Sequence, residues 1–78
     1  MAGSHNRKKT TVRLEFGKQV RERRLKLNLT QEELAEQAGL HPTYVGSVER
    51  GERNVALENI VKLAKAMHCE AAKLLDKL

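Results

Sequence analysis

Hydrophobic residues recur at three- and four-residue intervals through most of the chain, which is the spacing of amphipathic helices. The first such series starts at Leu14, continues through Phe16, Val20 and Leu27, and ends where Asn28 breaks the pattern. No useful length of sequence alternates apolar and polar residues as a half-buried strand does. The sequence therefore predicts an all-α protein of five helices, at about 14–28, 31–38, 42–50, 56–67 and 70–77.

Start and stop signals define the second and third of these helices. Thr30 and Glu33 have the spacing of a capping box, in which the Thr hydroxyl accepts the Glu33 backbone N–H and the carboxylate reaches back. Gly39 suits the left-handed residue that ends a helix. Pro42 stands at the first position of the next helix, which proline favours, and Gly51 ends that helix.

The segment 30–51 reads TQEELAEQAGLHPTYVGSVERG and has the layout of a helix-turn-helix unit, two short helices joined by a tight turn that contains glycine. Ala35 lies one turn before Gly39 and is small enough for the two helix axes to approach closely. The small core beneath the crossing is expected to contain Leu34, Leu40, Val45 and Val48. In such a unit the second helix presents its N-terminal residues to the major groove of DNA.

Positive charge is concentrated in the first part of the chain. Residues 1–30 hold nine basic and two acidic side chains, a net charge of +7, whereas residues 31–78 hold six basic and eight acidic ones, a net charge of −2. A basic end is typical of proteins that bind an anionic polymer or a membrane surface, and equally typical of a solvated, solubilising face. With one Phe, one Tyr and no Trp, the chain has few rings on which single-stranded nucleic acid can stack, which favours duplex DNA.

Seventy-eight residues allow a single domain, which we place at 13–78, after a flexible basic N-terminal arm at 1–12 that is either idle or reaches DNA. Cys69 is the only cysteine, so no internal disulfide can form, which suits a reducing cytosol. No apolar run approaches the about 18 residues that a membrane span needs, and no secretory signal pattern is present. We expect a cytoplasmic protein without a membrane partner.

Three blocks of sequence, LTQEELAEQAGL, TYVGSVERGERN and LENIVKLAKAM, resemble the Xre/Cro-type helix-turn-helix family, which includes the lambdoid phage repressors. The resemblance runs from about Phe16 to Leu75. The second block is particularly similar to the controller proteins of restriction–modification systems. The resemblance implies a five-helix, lambda-repressor-like DNA-binding domain with its helix-turn-helix at about 31–50. It also implies a sequence-specific transcriptional regulator, either repressor or activator, with a restriction–modification controller as one candidate.

The third helix carries the residues expected to read DNA bases. Thr43 and Ser47 lie four residues apart on one face, and their hydroxyls suit hydrogen bonds to base edges. Gly46 is costly inside a helix, so we infer close approach to DNA there. Pro42 departs from the family pattern, in which a long polar residue often leads base reading, and it offers only apolar contact. We therefore expect these four residues to contact bases, with DNA shape adding specificity.

The resemblance implies a second set of residues that contact phosphates. Gln31, at the start of the second helix, corresponds to a residue that typically contacts a phosphate in this family, although an ordinary polar first residue is the alternative. The ring of Tyr44 is expected to be partly buried in the core, and the resemblance implies that its hydroxyl contacts a phosphate; both can hold at once. In controller proteins the loop after the third helix contacts phosphates, which implies Arg50, Arg53 and Asn54 here.

Neighbouring residues are expected to have structural roles. His41 falls at the N-cap of the third helix, where it suits a backbone hydrogen bond or a phosphate contact. Glu49 is expected to pair with a basic residue of the first helix or with nearby backbone. Ala56 replaces the Ser or Thr that usually caps the fourth helix in this family, and Asn54 is expected to take over that cap.

A homodimer is expected because one recognition helix reads only a few base pairs. Two-fold pairing matches a pseudo-palindromic operator with half-sites about 34 Å apart, or a multiple of that distance. The expected dimer interface is the apolar C-terminal region, through Leu75 and Leu78, whereas Leu74 is expected to close the core of the monomer. RNA polymerase is a further candidate partner.

Catalysis is not expected, because no nucleophile–base arrangement, paired carboxylates or glycine-rich phosphate loop is present. His68 and Cys69 are adjacent but have no cluster of further ligands around them, so we expect no metal and no cofactor. The alternative function is an antitoxin-type protein-interaction module of the same fold. An antitoxin usually carries an additional toxin-binding segment, and the sequence shows none after Leu78, so a DNA-binding regulator is favoured.

Overall fold

Five α-helices follow one another in the part of the chain that this computed structural model describes, residues 9–78. Their bounds, numbered in chain order, are α1 Thr11–Lys26, α2 Gln31–Ala38, α3 Pro42–Glu49, α4 Leu57–Ala66 and α5 Ala71–Leu74. No strand occurs among these residues, so the all-α prediction is confirmed. None of the described helices is long and apolar enough to cross a membrane.

The first helix begins earlier than the hydrophobic pattern indicated. Thr10 is its N-cap, and the Thr10 hydroxyl accepts the backbone N–H of Arg13 at 3.2 Å. The predicted arm at 1–12 was therefore too long at its C-terminal end, because Thr11 and Val12 belong to α1. Residues 9 and 10 precede the helix, and residues 1–8 of the predicted arm lie outside the described residues. The hydrophobic pattern missed this start because the cap is a hydrogen bond and leaves no apolar signature.

The helix-turn-helix has the limits that its start and stop signals indicated. The capping box of Thr30 and Glu33 is present in both directions, with distances of 3.0 Å and 2.8 Å. Gly39 ends α2 in the left-handed region with φ of 71°, which costs glycine no strain. The backbone N–H of Leu40 then donates to the Ala35 carbonyl at 2.8 Å, which turns the chain sharply into α3.

One core lies between α1, α2, α3 and α4, and α5 closes its open end. Leu34, Val45 and Val48 are buried as expected, Leu40 is half-buried, and Leu74 closes the core from α5. The fully buried larger side chains are Val20, Leu34, Val45, Val48, Leu63, Met67 and Leu74. The helix-turn-helix, α2 and α3, is therefore held on two sides, because α1 packs against α3 and α4 packs against α2.

Two predictions about the C-terminal part were wrong. The fifth helix is a single turn, Ala71–Leu74, followed by turns, and does not extend to residue 77. Asn54 does not cap α4, because the N-cap is Ala56 and no side chain provides a cap hydrogen bond. The first and last residues of the fourth helix agree with the sequence prediction within one residue.

Helix α1 crosses α3 so closely that only glycine fits at position 17. A Cβ at Gly17 would lie 2.6 Å from the Glu49 carbonyl oxygen and closer still to the Val48 carbonyl oxygen. Both obstacles are backbone atoms at the end of α3, so neither can rotate aside. The absence of a side chain at this position therefore sets the distance between α1 and the recognition helix.

Replacing Gly17 with Ala should destabilise the protein by about 1–3 kcal/mol through overpacking, even though Ala favours a helix by about 1 kcal/mol over Gly. Urea unfolding followed by circular dichroism measures the change. The matched control is Lys18→Ala on the exposed face of the same helix, for which we expect a change within about 0.5 kcal/mol. Equal midpoints for Gly17→Ala and wild type would show that α1 and α3 are farther apart.

Candidate nucleic-acid interface

The N-terminus of α3 lies at the surface of the helix-turn-helix. His41 is its N-cap, and the His41 Nδ1 atom accepts the backbone N–H of Thr43 at 3.1 Å. Pro42 fills the first helical position, where no backbone N–H needs a partner. His41 and Thr43 are exposed and Pro42 is half-buried, so this end of α3 meets solvent. Of the two functions expected for His41, the backbone cap is confirmed.

A buried ion pair holds α3 to α1. Arg24 Nε donates to Glu49 Oε2 at 2.7 Å and Arg24 Nη2 donates to Glu49 Oε1 at 2.9 Å, with side chains that are 9% and 3% exposed. Arg24 Nη1 also donates to the Leu29 carbonyl at 2.9 Å, just before α2. The hydrogen bonds to Glu49 raise the pKa of Arg24, although burial opposes the charged form. The expected pairing of Glu49 with a basic residue of the first helix is confirmed.

Gln31 joins the same cluster from the start of α2. Its Nε2 donates to Glu49 Oε1 at 3.0 Å, so the amide lies beside α3. A Cβ at Gly46 would lie 3.3 Å from Gln31 Oε1 and 3.2 Å from Arg50 Nη1. These two side chains, rather than open solvent, cover the buried Gly46. A base contact by Gly46 would require Gln31 and Arg50 to move aside, and it stays a prediction.

The structure separates the four residues expected to read bases. Pro42 and Thr43 lie at the solvent end of α3, whereas Ser47 is 4% exposed. The Ser47 hydroxyl donates to the Tyr44 carbonyl at 2.7 Å and accepts from Arg53 Nε at 2.9 Å. A helix face that appears continuous in the sequence therefore has one exposed end and one end engaged in internal hydrogen bonds.

The residues expected to contact phosphates surround this face. The half-buried ring of Tyr44 lies beneath the Arg53 guanidinium, with 5.6 Å from Arg53 Cζ to the ring centroid. Arg50 is exposed and pairs with Glu52 through two hydrogen bonds of 3.0 Å and 3.3 Å, which raise the pKa of Arg50. Asn54 is exposed. The structure thus brings Arg53 against Tyr44 and leaves Arg50 exposed at the end of α3, whereas Asn54 lines a groove together with Leu75 and Leu78. Phosphate contact by each of these residues stays a prediction.

Sequence reasoning missed two members of this surface. Asn59 of α4 donates from Nδ2 to the Tyr44 hydroxyl at 3.1 Å and so fixes the tip of that side chain. Glu52 competes for the Arg50 guanidinium. Asn59 had no sequence signal, because its partner lies fifteen residues away on another helix. Glu52 had a weak one, a carboxylate two residues from an arginine.

An exposed apolar face lies at the C-terminal side of the molecule. A groove of about 190 Å³ runs between the start of α1, the loop before α4 and the C-terminus. Leu75 and Leu78, the expected dimer residues, line it and are 39% and 48% exposed. Val12, Val55 and Ile60 line it as well, together with Phe16 and the polar residues Arg13, Arg53 and Asn54. Leu57 and Val61 are two further exposed apolar residues of α4, four residues apart. We call these seven residues the C-terminal apolar surface: Val12, Val55, Leu57, Ile60, Val61, Leu75 and Leu78.

Comparison with known proteins agrees with this geometry. A helix-turn-helix family model matches residues 20–74, most of the chain. The chain belongs to the helix-turn-helix family of DNA-binding transcription regulators. Among family members, the control protein C.BamHI of Bacillus amyloliquefaciens is 50% identical over 66 residues, which cover 83% of this chain and 82% of that protein.

Two solved helix-turn-helix structures are similar to this one. The restriction–modification controller protein C.AhdI from Aeromonas hydrophila is 51% identical, with a TM-score of 0.77 over 78% of this chain and 92% of that one. The clp gene regulator ClgR from Corynebacterium glutamicum is 28% identical, with a TM-score of 0.82 over 88% of this chain and 73% of that one. The family resemblance expected from the sequence is confirmed.

Replacing Glu49 with Ala should destabilise the protein by about 3–5 kcal/mol, because the Arg24 charge would remain buried without its partner. The matched control is the double variant Arg24→Met with Glu49→Leu, which removes both charges and keeps apolar volume, and which we expect to be less destabilised than Glu49→Ala alone. Chemical denaturation measures both. A double variant that unfolds as readily as Glu49→Ala would contradict this account of the ion pair.

Proposed function

We propose that this protein binds double-stranded operator DNA in a sequence-specific way through the exposed N-terminus of α3 and thereby regulates transcription. The observation that carries the proposal is the exposed end of α3 at Pro42 and Thr43, held in a helix-turn-helix whose second helix is free to enter a major groove. The Thr43 hydroxyl and methyl suit a base edge and a thymine methyl group. Pro42 adds an apolar contact.

Phosphate contacts would supply the affinity. Gln31 lies at the N-terminus of α2, where backbone N–H groups and the helix dipole favour an anion. Arg53 and Asn54 are exposed on the loop after α3, and Arg50 is exposed at its end. Tyr44 lies next to them, with its hydroxyl near the surface of α4. Tyr44 thus lies within α3, Gln31 beside it, and Arg50, Arg53 and Asn54 at and after its C-terminal end. We expect these side chains to contact phosphates on either side of the groove that α3 enters.

The identity to C.BamHI and C.AhdI favours control of restriction–modification genes as the biological task. Half of the residues aligned with C.BamHI are identical, and the match covers most of both chains. The gene that the operator controls is then expected to encode a DNA methyltransferase or an endonuclease, as the name of this class of controller implies.

The proposed regulator acts as a homodimer through the C-terminal apolar surface. Leu57 is 74% exposed, and Ile60 and Val61 follow it at three and four residues, so one side of α4 presents apolar groups to water. Of these three residues, Ile60 also lines the groove that contains Leu75 and Leu78. A second copy related by a two-fold axis would bury both surfaces and present two copies of α3 to successive major grooves.

Selection of bound sites from random duplex DNA tests the function. We expect enrichment of a pseudo-palindrome by the wild type, and binding without any enriched sequence would contradict sequence-specific regulation.

Thr43→Ala should weaken binding to the enriched duplex by about 1–3 kcal/mol and leave binding to an unrelated duplex almost unchanged. Fluorescence anisotropy measures both affinities. The matched control is Thr11→Ala on α1, which removes the same hydroxyl and methyl groups from a position outside α3.

Replacing Leu78, which lines the groove and is 48% exposed, with Glu should shift the protein from dimer to monomer by at least about tenfold in the dimer dissociation constant, because a charge would be buried at the interface without a partner. Sedimentation equilibrium measures this constant. The matched control is Leu25→Glu, an equally apolar and 46% exposed position on α1 that does not line the groove. Equal association of both variants and wild type would place the dimer interface elsewhere.

A further inference from the structure

Ser47 occupies a junction between α3 and the loop that follows it. Its Oγ donates to the Tyr44 carbonyl one turn earlier, which fixes the direction of the hydroxyl. The same oxygen accepts from Arg53 Nε at 2.9 Å. The serine is 4% exposed, whereas Arg53 is exposed. A buried acceptor therefore holds the inner edge of a solvent-facing guanidinium.

Tyr44 limits the remaining freedom of the same guanidinium. Arg53 Cζ lies 5.6 Å from the centroid of the Tyr44 ring, within the range of a cation–π contact. Asn59 holds the Tyr44 hydroxyl at 3.1 Å, so the ring is anchored to α4. Ser47 fixes one edge of Arg53 and Tyr44 covers one face, which sets both the position and the plane of the group.

The outer edge of the Arg53 guanidinium is available to a ligand. Within residues 9–78, no hydrogen bond joins either Nη atom of Arg53 to the protein. A planar guanidinium with Nε engaged still presents N–H donors that match two oxygens of a phosphate. Arginine side chains lose much rotamer freedom when they bind, and prior fixation reduces that loss.

We propose that Ser47 is a positioning residue that orients Arg53 for a DNA phosphate, and that Ser47 does not itself contact a base. This inference rests on the proposed function, since it requires duplex DNA as the ligand. It replaces the base contact that the sequence pattern suggested for Ser47 by an effect transmitted through Arg53. Because a phosphate is present at every step of a duplex, this contribution to binding is independent of DNA sequence.

The test is a double-mutant cycle of Ser47→Ala and Arg53→Ala, with binding measured on the selected duplex and on an unrelated duplex. Ser47→Ala alone should weaken both by about threefold to tenfold, the usual effect of one hydrogen bond. In the Arg53→Ala background, Ser47→Ala should have no further effect on either duplex. Arg53→Ala itself should weaken both duplexes alike and lower the salt dependence of binding by about one phosphate contact.

Matched controls separate positioning from folding. Thr43→Ala removes a hydroxyl from the same helix and should keep its full effect in the Arg53→Ala background, because Thr43 does not contact Arg53. Thermal unfolding of each variant shows whether α3 is intact, and alanine is compatible with a helix at position 47. A merely structural effect of Ser47→Ala would be the same with and without Arg53.

Each other outcome overturns the proposal in a different way. A Ser47→Ala effect confined to the selected duplex and retained without Arg53 would make Ser47 a base contact. No effect of Ser47→Ala, or none of Arg53→Ala, would show that the hydrogen bond does not matter for DNA. If no duplex is enriched for the wild type, the proposed function itself is overturned. This outcome is distinguishable from the others because the selection uses only the wild type and is done before any variant is measured.

Discussion

The ion pair between Arg24 and Glu49 connects every part of the helix-turn-helix. One guanidinium on α1 binds the carboxylate at the end of α3 and the Leu29 carbonyl before α2, and the carboxylate also accepts from Gln31 on α2. Shorter charged side chains would not span the gap between α1 and α3. A bulky residue at the crossing would push the two helices apart and separate the charges. The pair forms because Gly17 lets α1 approach the α3 backbone closely. The orientation of α3 therefore depends on both a buried charge pair and a missing side chain.

A buried ion pair contributes little net stability, because removing two charges from water costs about as much as their attraction returns. Its effect here is geometric. Arg24 and Glu49 form two parallel hydrogen bonds, which fix distance and plane together. An apolar contact of similar size would allow α3 to slide along α1. The charged pair thus suits a protein whose recognition helix must keep one orientation.

Local signals predicted the parts of the fold whose hydrogen bonds span only a few residues. The Thr30–Glu33 capping box, the Gly39 stop and the His41 cap were all predictable, because each depends on a partner two to five residues away. Glu49 was an intermediate case. The kind of partner followed from the sequence, but Arg24 was identified only by the crossing of α1 and α3.

Contacts between residues that are distant in sequence determine the features that local sequence patterns did not predict. Ser47 lies on the expected face of α3, but Arg53 returns to it after the Gly51 turn. The cost of a glycine at position 46 indicated a close approach by DNA, and in the structure the protein's own Gln31 and Arg50 side chains lie beside that position. At the C-terminal end, the apolar spacing predicted a helix that reaches residue 77, but α5 is a single turn, Ala71–Leu74.

These differences change how the proposed DNA complex would achieve specificity. With Ser47 turned inward and Gly46 covered, Pro42 and Thr43 remain as the exposed uncharged end of α3. So few groups can distinguish only a small number of base pairs directly. Discrimination then depends on the spacing between two copies of α3 and on the sequence-dependent deformability of the DNA between them. In the proposed dimer, spacing would discriminate only if each recognition helix kept one orientation relative to the dimer surface, and the Arg24–Glu49 pair fixes the orientation of α3 relative to α1.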